Sequence, residues 1–176
     1  MNRRKAFEIM AAGAAIAAVA PPVRAESKEA AVYLRRWNKA KAFTAKVADV
    51  MPNESYDFRP NPVEMGFGKL FTHIAAANTR YFGRIKGEAP PMQEPKNADK
   101  ETTKKFLEEC FDWCAGILAG MSDADMEKSY PGQQPNQPAL TGRDLVLNGF
   151  IHTAHHRAQA EVYLRVKNLE PPRYDV

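Results

Sequence analysis

The chain has 176 residues, 44% hydrophobic and 26% charged, a composition typical of one globular domain and not of a disordered chain. Its net charge is +4, but residues 1–25 hold four basic groups and one acidic group, which leaves 21 basic and 20 acidic groups elsewhere. This near-neutral body lacks the positive charge of a nucleic-acid-binding face, so we expect no nucleic-acid partner. Two cysteines and four histidines exclude a disulfide scaffold and a cysteine-rich zinc finger.

Residues 1–25 have the three parts of a secretory signal peptide. A basic start is followed by an uncharged, alanine-rich run and by small residues three positions and one position before a cleavage site after Ala25. The run of twelve residues is shorter than the roughly 20 that a membrane-spanning helix needs. We therefore expect a domain of residues 26–176 that is periplasmic or secreted, with no stable membrane insertion after cleavage. An uncleaved membrane anchor is the alternative.

The adjacent residues Arg3 and Arg4, with a weakly hydrophobic run behind them, resemble a twin-arginine signal. The match is partial, because Ala6 stands where a larger apolar residue is usual. General secretion of the unfolded chain is the alternative export route.

Helical periodicity dominates the rest of the chain, and strand signals are sparse. The first predicted helix covers about residues 27–50 and ends at Pro52, since the residue before a proline disfavours helix. The second covers about residues 63–86 and is followed by a loop rich in Pro, Glu and Lys. Each has an apolar stripe at helical spacing. The stripes include Tyr33, Trp37, Ala40, Thr44, Val47 and Met51, and then Phe67, Leu70, Phe71, Ile74, Ala77, Asn78, Tyr81 and Ile85.

The third predicted helix begins near Asp99 and carries Cys110 and Cys114 on its apolar stripe. At four residues apart on a helix, Cβ atoms lie about 5–6 Å from each other, farther than a disulfide allows, so both cysteines are expected in the core as thiols. The fourth helix begins at Thr141 with a capping box and continues to about Asn168. Four such helices predict an all-α protein, a four-helix bundle, with a long polar loop before the last helix.

Two histidines share one face of the fourth helix. At 100° per residue, His152 and His156 fall within about 20° of Leu145, which predicts both in the middle of the inward face. His155 lies about 80° away, and Arg157 points roughly to the far side. Burial of two imidazoles one turn apart is unfavourable unless their nitrogens are satisfied, and one cation can bind both.

His73 supplies a third imidazole, from the flank of the apolar stripe on the second helix. Facing positions of two helices can converge on one site in a bundle, so the three histidines together favour a metal site that leaves room for water or substrate. Hydrogen-bonded core histidines are the alternative. Other metal patterns are missing from the sequence: there is no Glu-x-x-His pair, no His-Glu-x-x-His protease motif and no haem attachment motif.

Over about residues 32–174 the chain resembles the DinB-like (DinB/YfiT-like) family of metal-binding four-helix bundles. The resemblance rests on three groups of motifs: Phe58-Arg59-Pro60 with the segments 65–70 and 73–75, then His152-x-x-x-His156-Arg157-Ala158-Gln159, and finally Tyr163-Leu164-Arg165 with 171–174. It implies a divalent metal bound by His73, His152 and His156. The chain departs from the family at Ala158, where glycine is common. It departs again in its export signal, since the characterised thiol-transfer members are cytoplasmic.

The residues and the resemblance together predict an exported metalloenzyme of hydrolase or thiol-transferase type. We expect zinc or nickel, with iron and copper as alternatives, because imidazole suits all four. Gln159 is a candidate hydrogen-bond partner of the site, and Tyr81 and Tyr163 are candidate proton donors. The substrate is a small molecule of unknown identity, and a homodimer is expected because related bundles often dimerise. The alternative function is a non-catalytic metal-binding or stress-response protein of the cell envelope.

Overall fold

The computed structural model of the protein describes residues 27–132 and 134–174. The predicted signal peptide, residues 1–25, lies outside the described residues. The fold is mostly helical, as predicted, with four long helices, one short helix, a single 3-10 turn at Asn53–Ser55 and two very short strands. The elements are α1 (Lys28–Val50), α2 (Phe67–Lys86), α3 (Lys100–Ala119), α4 (Asp123–Glu127), β1 (Ser129–Tyr130), β2 (Leu140–Thr141) and α5 (Gly142–Val166). Within the described ranges, no helix combines the length and apolar character needed to cross a membrane.

Side-chain caps start three of the long helices. The Ser27 hydroxyl accepts a hydrogen bond from the amide of Ala30 at the start of α1, and Asp99 caps α3 in the same way. At α5 the predicted capping box is confirmed: Thr141 accepts from the amide of Asp144, and the Asp144 carboxylate accepts from the amide of Thr141. Each cap satisfies amides that have no partner inside the helix.

The start of α2 lies four residues later than predicted, because backbone contacts replace a side-chain cap there. The amide of Phe67 donates to the carbonyl of Phe58 at 3.0 Å, and the amide of Gly68 donates to the carbonyl of Tyr56 at 2.7 Å. A Cβ atom on Gly68 would lie 2.0 Å from the carbonyl oxygen of Ala98, so only glycine fits where the loop after α2 crosses its first turn. The helix ends at Gly87, whose φ of 76° favours glycine.

The four long helices form a bundle in which sequence neighbours are not always spatial neighbours. Helices α1 and α2 each pack mainly against α3 and α5, so α1 lies diagonally from α2, and α3 lies diagonally from α5. The segment between α3 and α5 contains α4 and the antiparallel pair β1–β2, which the helical periodicity did not predict. Strands of two residues are too short to give a readable alternation in the sequence.

Trp37 joins all four long helices at the centre of the core and is fully buried. Its indole Nε1 donates to the carbonyl of Phe111 on α3 at 3.0 Å. Its ring lies 4.9 Å from the Phe82 ring on α2 and 5.2 Å from the Phe150 ring on α5. Cys110 and Cys114 are buried thiols on α3, as predicted. The packing of these aromatic rings around Trp37 sets the distance between α5 and α2, and therefore the positions that the histidines of α5 can occupy.

The buried face of α5 is rotated from the predicted one. Arg157 was predicted on the far side but is only 5% exposed, which makes that prediction wrong. The physical reason is that α5 packs against α1 as well as α2, so its buried arc extends past the α2-facing side. His152 and His156 consequently lie half-buried at one edge of this arc and not at its middle. The arc comprises Gly142, Leu145, Val146, Gly149, Thr153, Arg157, Ala160, Tyr163 and Leu164.

Candidate metal centre

Two hydrogen bonds across the α2–α5 interface determine the register of these two helices. The Tyr163 hydroxyl donates to the carbonyl of Met65, which lies just before α2, at 3.1 Å. Further along α2, the Asn78 amide donates to the Thr153 hydroxyl at 2.9 Å. The partners run in opposite directions along the two helices, which are therefore antiparallel. In this register His73, between Met65 and Asn78, faces the segment of α5 that holds His152 and His156.

Three imidazoles converge between α2 and α5. The Nε2 atoms of His73 and His152 lie 3.2 Å apart, and the candidate ligand atoms of His73, His152 and His156 all lie within 4.8 Å of one another. The ring centroids are separated by 4.9 Å for His73–His152, 4.7 Å for His73–His156 and 4.5 Å for His152–His156. All three side chains are half-buried, so the cluster is attached to the core and still reaches solvent.

Gln159 orients the ring of His156. Its Oε1 atom lies 2.7 Å from Nδ1 of His156, and because a carbonyl oxygen only accepts, the ring nitrogen carries the proton and donates. The proton on Nδ1 leaves the lone pair on Nε2, which is then available to a cation. The spacing of three residues along α5 makes this contact possible.

The Nε2 atoms of His73 and His152 have the spacing of two ligands on one metal ion. At a metal–nitrogen distance of about 2.05 Å, two tetrahedral ligands lie about 3.3 Å apart, close to the 3.2 Å between the Nε2 atoms of His73 and His152. The other ring nitrogen of His152, Nδ1, is buried and has no hydrogen-bond partner among the described residues. Without a metal ion, the two neutral imidazoles can form one hydrogen bond, in which one Nε2 donates and the other accepts. A cation between them would use both lone pairs.

Burial and neighbouring charges keep the imidazoles of His73 and His152 neutral. Desolvation, and then the nearness of His156, His73 and Arg80, lowers the pKa of His152 to about 4. Desolvation, and then His156 and Arg80, lowers the pKa of His73 as well. Since only neutral imidazole binds a metal, protons compete with the metal at these two residues only at a pH below the ordinary histidine range.

Glu94 is a carboxylate near the cluster that the sequence patterns did not indicate. It lies in the loop after α2, where it pairs with Lys69 and accepts a hydrogen bond from the Thr72 hydroxyl at 3.2 Å. Its negative charge raises the pKa of His73, against the larger lowering effects. No periodicity marks a functional residue in a loop, and the loop reaches this position only because Gly68 admits it.

The remaining residues considered for the site, His155, Tyr81 and Tyr163, lie outside the group of three imidazoles. His155 is exposed and has its ring 4.8 Å from that of His156, outside the group of three. Tyr81 is half-buried, with its ring 6.2 Å from that of His152, at the border of the cluster. Tyr163 is buried, and its hydroxyl is occupied by the carbonyl of Met65. Of the two tyrosines, only Tyr81 borders the cluster.

Comparisons with known proteins agree with this architecture. Residues 36–160, which include all three histidines, match the family model of the DinB superfamily. The uncharacterized protein YjoA of Bacillus subtilis (strain 168) is 24% identical over 124 residues, or 69% of this chain and 80% of YjoA.

Solved structures share the fold. A DinB-like protein from Bacillus cereus has a TM-score of 0.68 at 19% identity, covering 81% of this chain and 95% of its own. The crystal structure of YjoA gives the same TM-score and identity over 82% of this chain and 98% of YjoA. A conserved protein from Enterococcus faecalis has a TM-score of 0.62 at 13% identity over 77% of this chain and 94% of that chain.

Proposed function

The chain belongs to the DinB superfamily, and from that premise we propose that His73, His152 and His156 bind one divalent metal ion in a hydrolase or thiol-transferase site. The observation that carries the proposal is the convergence of three imidazoles from two helices, with their candidate ligand atoms within 4.8 Å of one another. Zinc or nickel is the expected metal, with iron and copper as alternatives, because imidazole nitrogen suits all four.

Imidazole binds a metal as a neutral ligand, and this determines what the site can do. When bound, a divalent ion among neutral imidazoles keeps its full positive charge and lowers the pKa of a water or thiol. Among the described residues, no fourth histidine, cysteine or carboxylate joins the cluster. Three protein ligands with a remaining position are typical of catalytic sites, whereas four protein ligands are typical of structural ones.

Other residues of the chain supply orientation and charge. Gln159 holds His156 in one tautomer and one ring orientation through the hydrogen bond to Nδ1. The positive charge of Arg80 is felt at His73 and favours an anionic substrate there, whereas Lys69 is paired with Glu94. Glu94 is the carboxylate whose charge reaches the cluster, and we assign it the role of proton acceptor.

The alternative is a non-catalytic metal-binding or stress-response protein of the cell envelope. It differs from an enzyme in one testable property: a binder for sequestration needs no position open to an added ligand. The half-burial of all three histidines, which leaves the cluster in reach of solvent, favours the catalytic assignment.

Cobalt substitution tests both parts of the proposal. The purified chain, freed of metal, is titrated with Co²⁺ and its visible absorption is recorded before and after addition of a small thiol. We expect one equivalent of Co²⁺ to bind and a new thiolate charge-transfer band to appear with the thiol. His155→Ala, the matched control, should behave like the parent, and His73→Ala should show neither signal. Cobalt binding without a thiol band would support the binder, and no cobalt binding would contradict both functions.

We also propose that the protein is exported, on the basis of residues 1–25 alone. Intact mass of the protein purified from its native host should correspond to a chain beginning at Glu26. A mass that includes Met1 would contradict cleavage. Replacement of Arg3 and Arg4 together by lysine should stop twin-arginine export, and unchanged export would assign the general route.

A further inference from the structure

Arg157 is a buried cation on the side of α5 that faces α1, and it is 5% exposed. Its guanidinium carbon lies 4.7 Å from the centre of the Phe43 ring and 5.9 Å from that of Tyr174. Among residues 27–132 and 134–174, the Arg157 guanidinium makes one hydrogen bond, from Nη1 to the Thr44 hydroxyl at 3.4 Å. A guanidinium has five N–H donors, so most of the hydrogen-bonding capacity of Arg157 is unused by the described residues.

No carboxylate neutralises this charge within the described part of the chain. Among residues 27–132 and 134–174, no acidic oxygen lies within the 4.0 Å of an ion pair with Arg157. Glu161, one turn further along α5, acts on the charge of Arg157 without a direct contact and forms its ion pair with Arg165 at 3.9 Å. Burial lowers the pKa of Arg157, but arginine keeps its charge in proteins. A buried charge that cannot be released by deprotonation is unfavourable unless an anion offsets it.

Arg157 opens onto a cavity of about 280 Å³ between α1 and α5. Arg36 supplies a second guanidinium, and the walls that the structure describes contain no carboxylate. The cavity is distinct from the metal centre, because none of the three clustered histidines lines it. Its remaining walls are mostly apolar or aromatic, contributed by Ala40, Phe150, Ile151, Thr153, Ala154 and Tyr174.

We propose that this cavity binds a small organic carboxylate with an apolar body. The planar fork of a guanidinium matches a carboxylate through two parallel hydrogen bonds, and Arg157 has the unused donors for them. Arg36 adds a second positive charge at the solvent-exposed side. The aromatic and aliphatic walls would cover the apolar body of the carboxylate. Inorganic phosphate has no apolar body.

Calorimetric titration of the full chain with benzoate tests the proposal. We expect saturable binding of one benzoate, no binding of the neutral analogue benzamide, and weaker binding of inorganic phosphate. Arg36→Gln should weaken benzoate binding at least threefold. Arg35→Gln is the matched control, because Arg35 is exposed, donates a hydrogen bond to the carbonyl of Ala31 and does not line the cavity. Equal affinity of these two variants would overturn the proposal.

Three further variants test whether benzoate binds elsewhere in the protein and whether an anion of the chain itself fills the cavity. Arg157→Met should lose benzoate binding. If Arg157→Met does not fold, the comparison of Arg36→Gln with Arg35→Gln still decides the proposal. His73→Ala should bind benzoate as the parent does, since loss of binding there would place benzoate on the metal. Asp175, which follows Tyr174 in the sequence, is the chain's own candidate anion. If benzoate binds Asp175→Asn but not the parent, the occupant is internal and the proposal is wrong. No binding by any variant would also overturn it.

Discussion

The two sides of α5 hold polar groups of opposite chemical character. On the side that faces α2, His152 meets His73 and the pKa of its imidazole is lowered to about 4. On the side that faces α1, Arg157 is stacked on Phe43 and keeps its charge. Burial therefore favours a neutral imidazole with a free lone pair on one side. On the other side it encloses a guanidinium that has no ion-pair partner among the described residues. The first arrangement suits a metal cation and the second suits an anion.

Replacement of Arg157 by alanine should produce the largest loss of stability on the cation side. The side chain stacks on two rings, those of Phe43 and Tyr174, and fills space against α1. We expect the free energy of unfolding to fall by about 2–3 kcal/mol from the lost cation–π and packing interactions. Urea denaturation of Arg157→Ala beside the exposed Arg165→Ala checks this, and equal effects of the two would contradict the buried role of Arg157.

The hydrogen bond between Asn78 and Thr153 lies between the two sides of α5 and should have the next effect. Asn78 is fully buried, and its amide donates to the Thr153 hydroxyl at 2.9 Å. Asn78→Ala should reduce the free energy of unfolding by about 1–2 kcal/mol, because a buried hydroxyl loses its partner. A double-mutant cycle with Thr153→Val measures the coupling. Strictly additive effects would show that this contact does not join the helices.

Gln159 should affect metal affinity and not the fold. Gln159→Leu removes the acceptor for Nδ1 of His156 and should weaken metal binding about tenfold. Gln159→Glu, which retains an acceptor at the same distance along the side chain, is the matched control and should bind at least as tightly as the parent. Competition with a chromogenic chelator measures both affinities. Weaker binding by both variants to the same extent would contradict the role of the acceptor.

The pH dependence of the metal-free protein also distinguishes the two sides of α5. The pKa of His152 is about 4 in the folded protein against 6.5 as its ordinary value, so the unfolded chain binds more protons in that window. Stability should therefore be complete above pH 6.5 and decrease as the pH falls toward 4. The melting temperature between pH 7.5 and 5 should fall less in His152→Ala than in the parent. An identical decline would remove His152 as its source.

The helices were readable from the sequence because their apolar residues recur at helical spacing and their ends carry local signals. Thr141 and Asp144 are such a signal, and the capping box is present. The start of α2 was not readable, because backbone carbonyls of Tyr56 and Phe58 hold its first amides and no side chain marks them. The sequence also did not indicate that α1 packs against α5, and therefore did not indicate that Arg157 is buried.

The three histidines could be grouped from spacing and family resemblance, but their depth could not. Angles around one helix assign a common side to His152 and His156, whereas the width of the buried arc depends on how many helices pack against α5. The contribution of Glu94 depends on a loop crossing α2 at Gly68, a contact between distant parts of the sequence. Chemistry that resides on helices was therefore easier to predict than chemistry that loops bring near them.

Metal content of the four single His→Ala variants tests the ligand assignment most directly. Each variant is purified without chelators, loaded with Zn²⁺, desalted and analysed for zinc per chain. We predict that His73→Ala, His152→Ala and His156→Ala lose most of the metal, because each removes one of three converging nitrogens. His155→Ala should retain nearly one zinc per chain, because the exposed His155 lies outside the group. An empty His155→Ala beside a loaded His156→Ala would contradict the assignment.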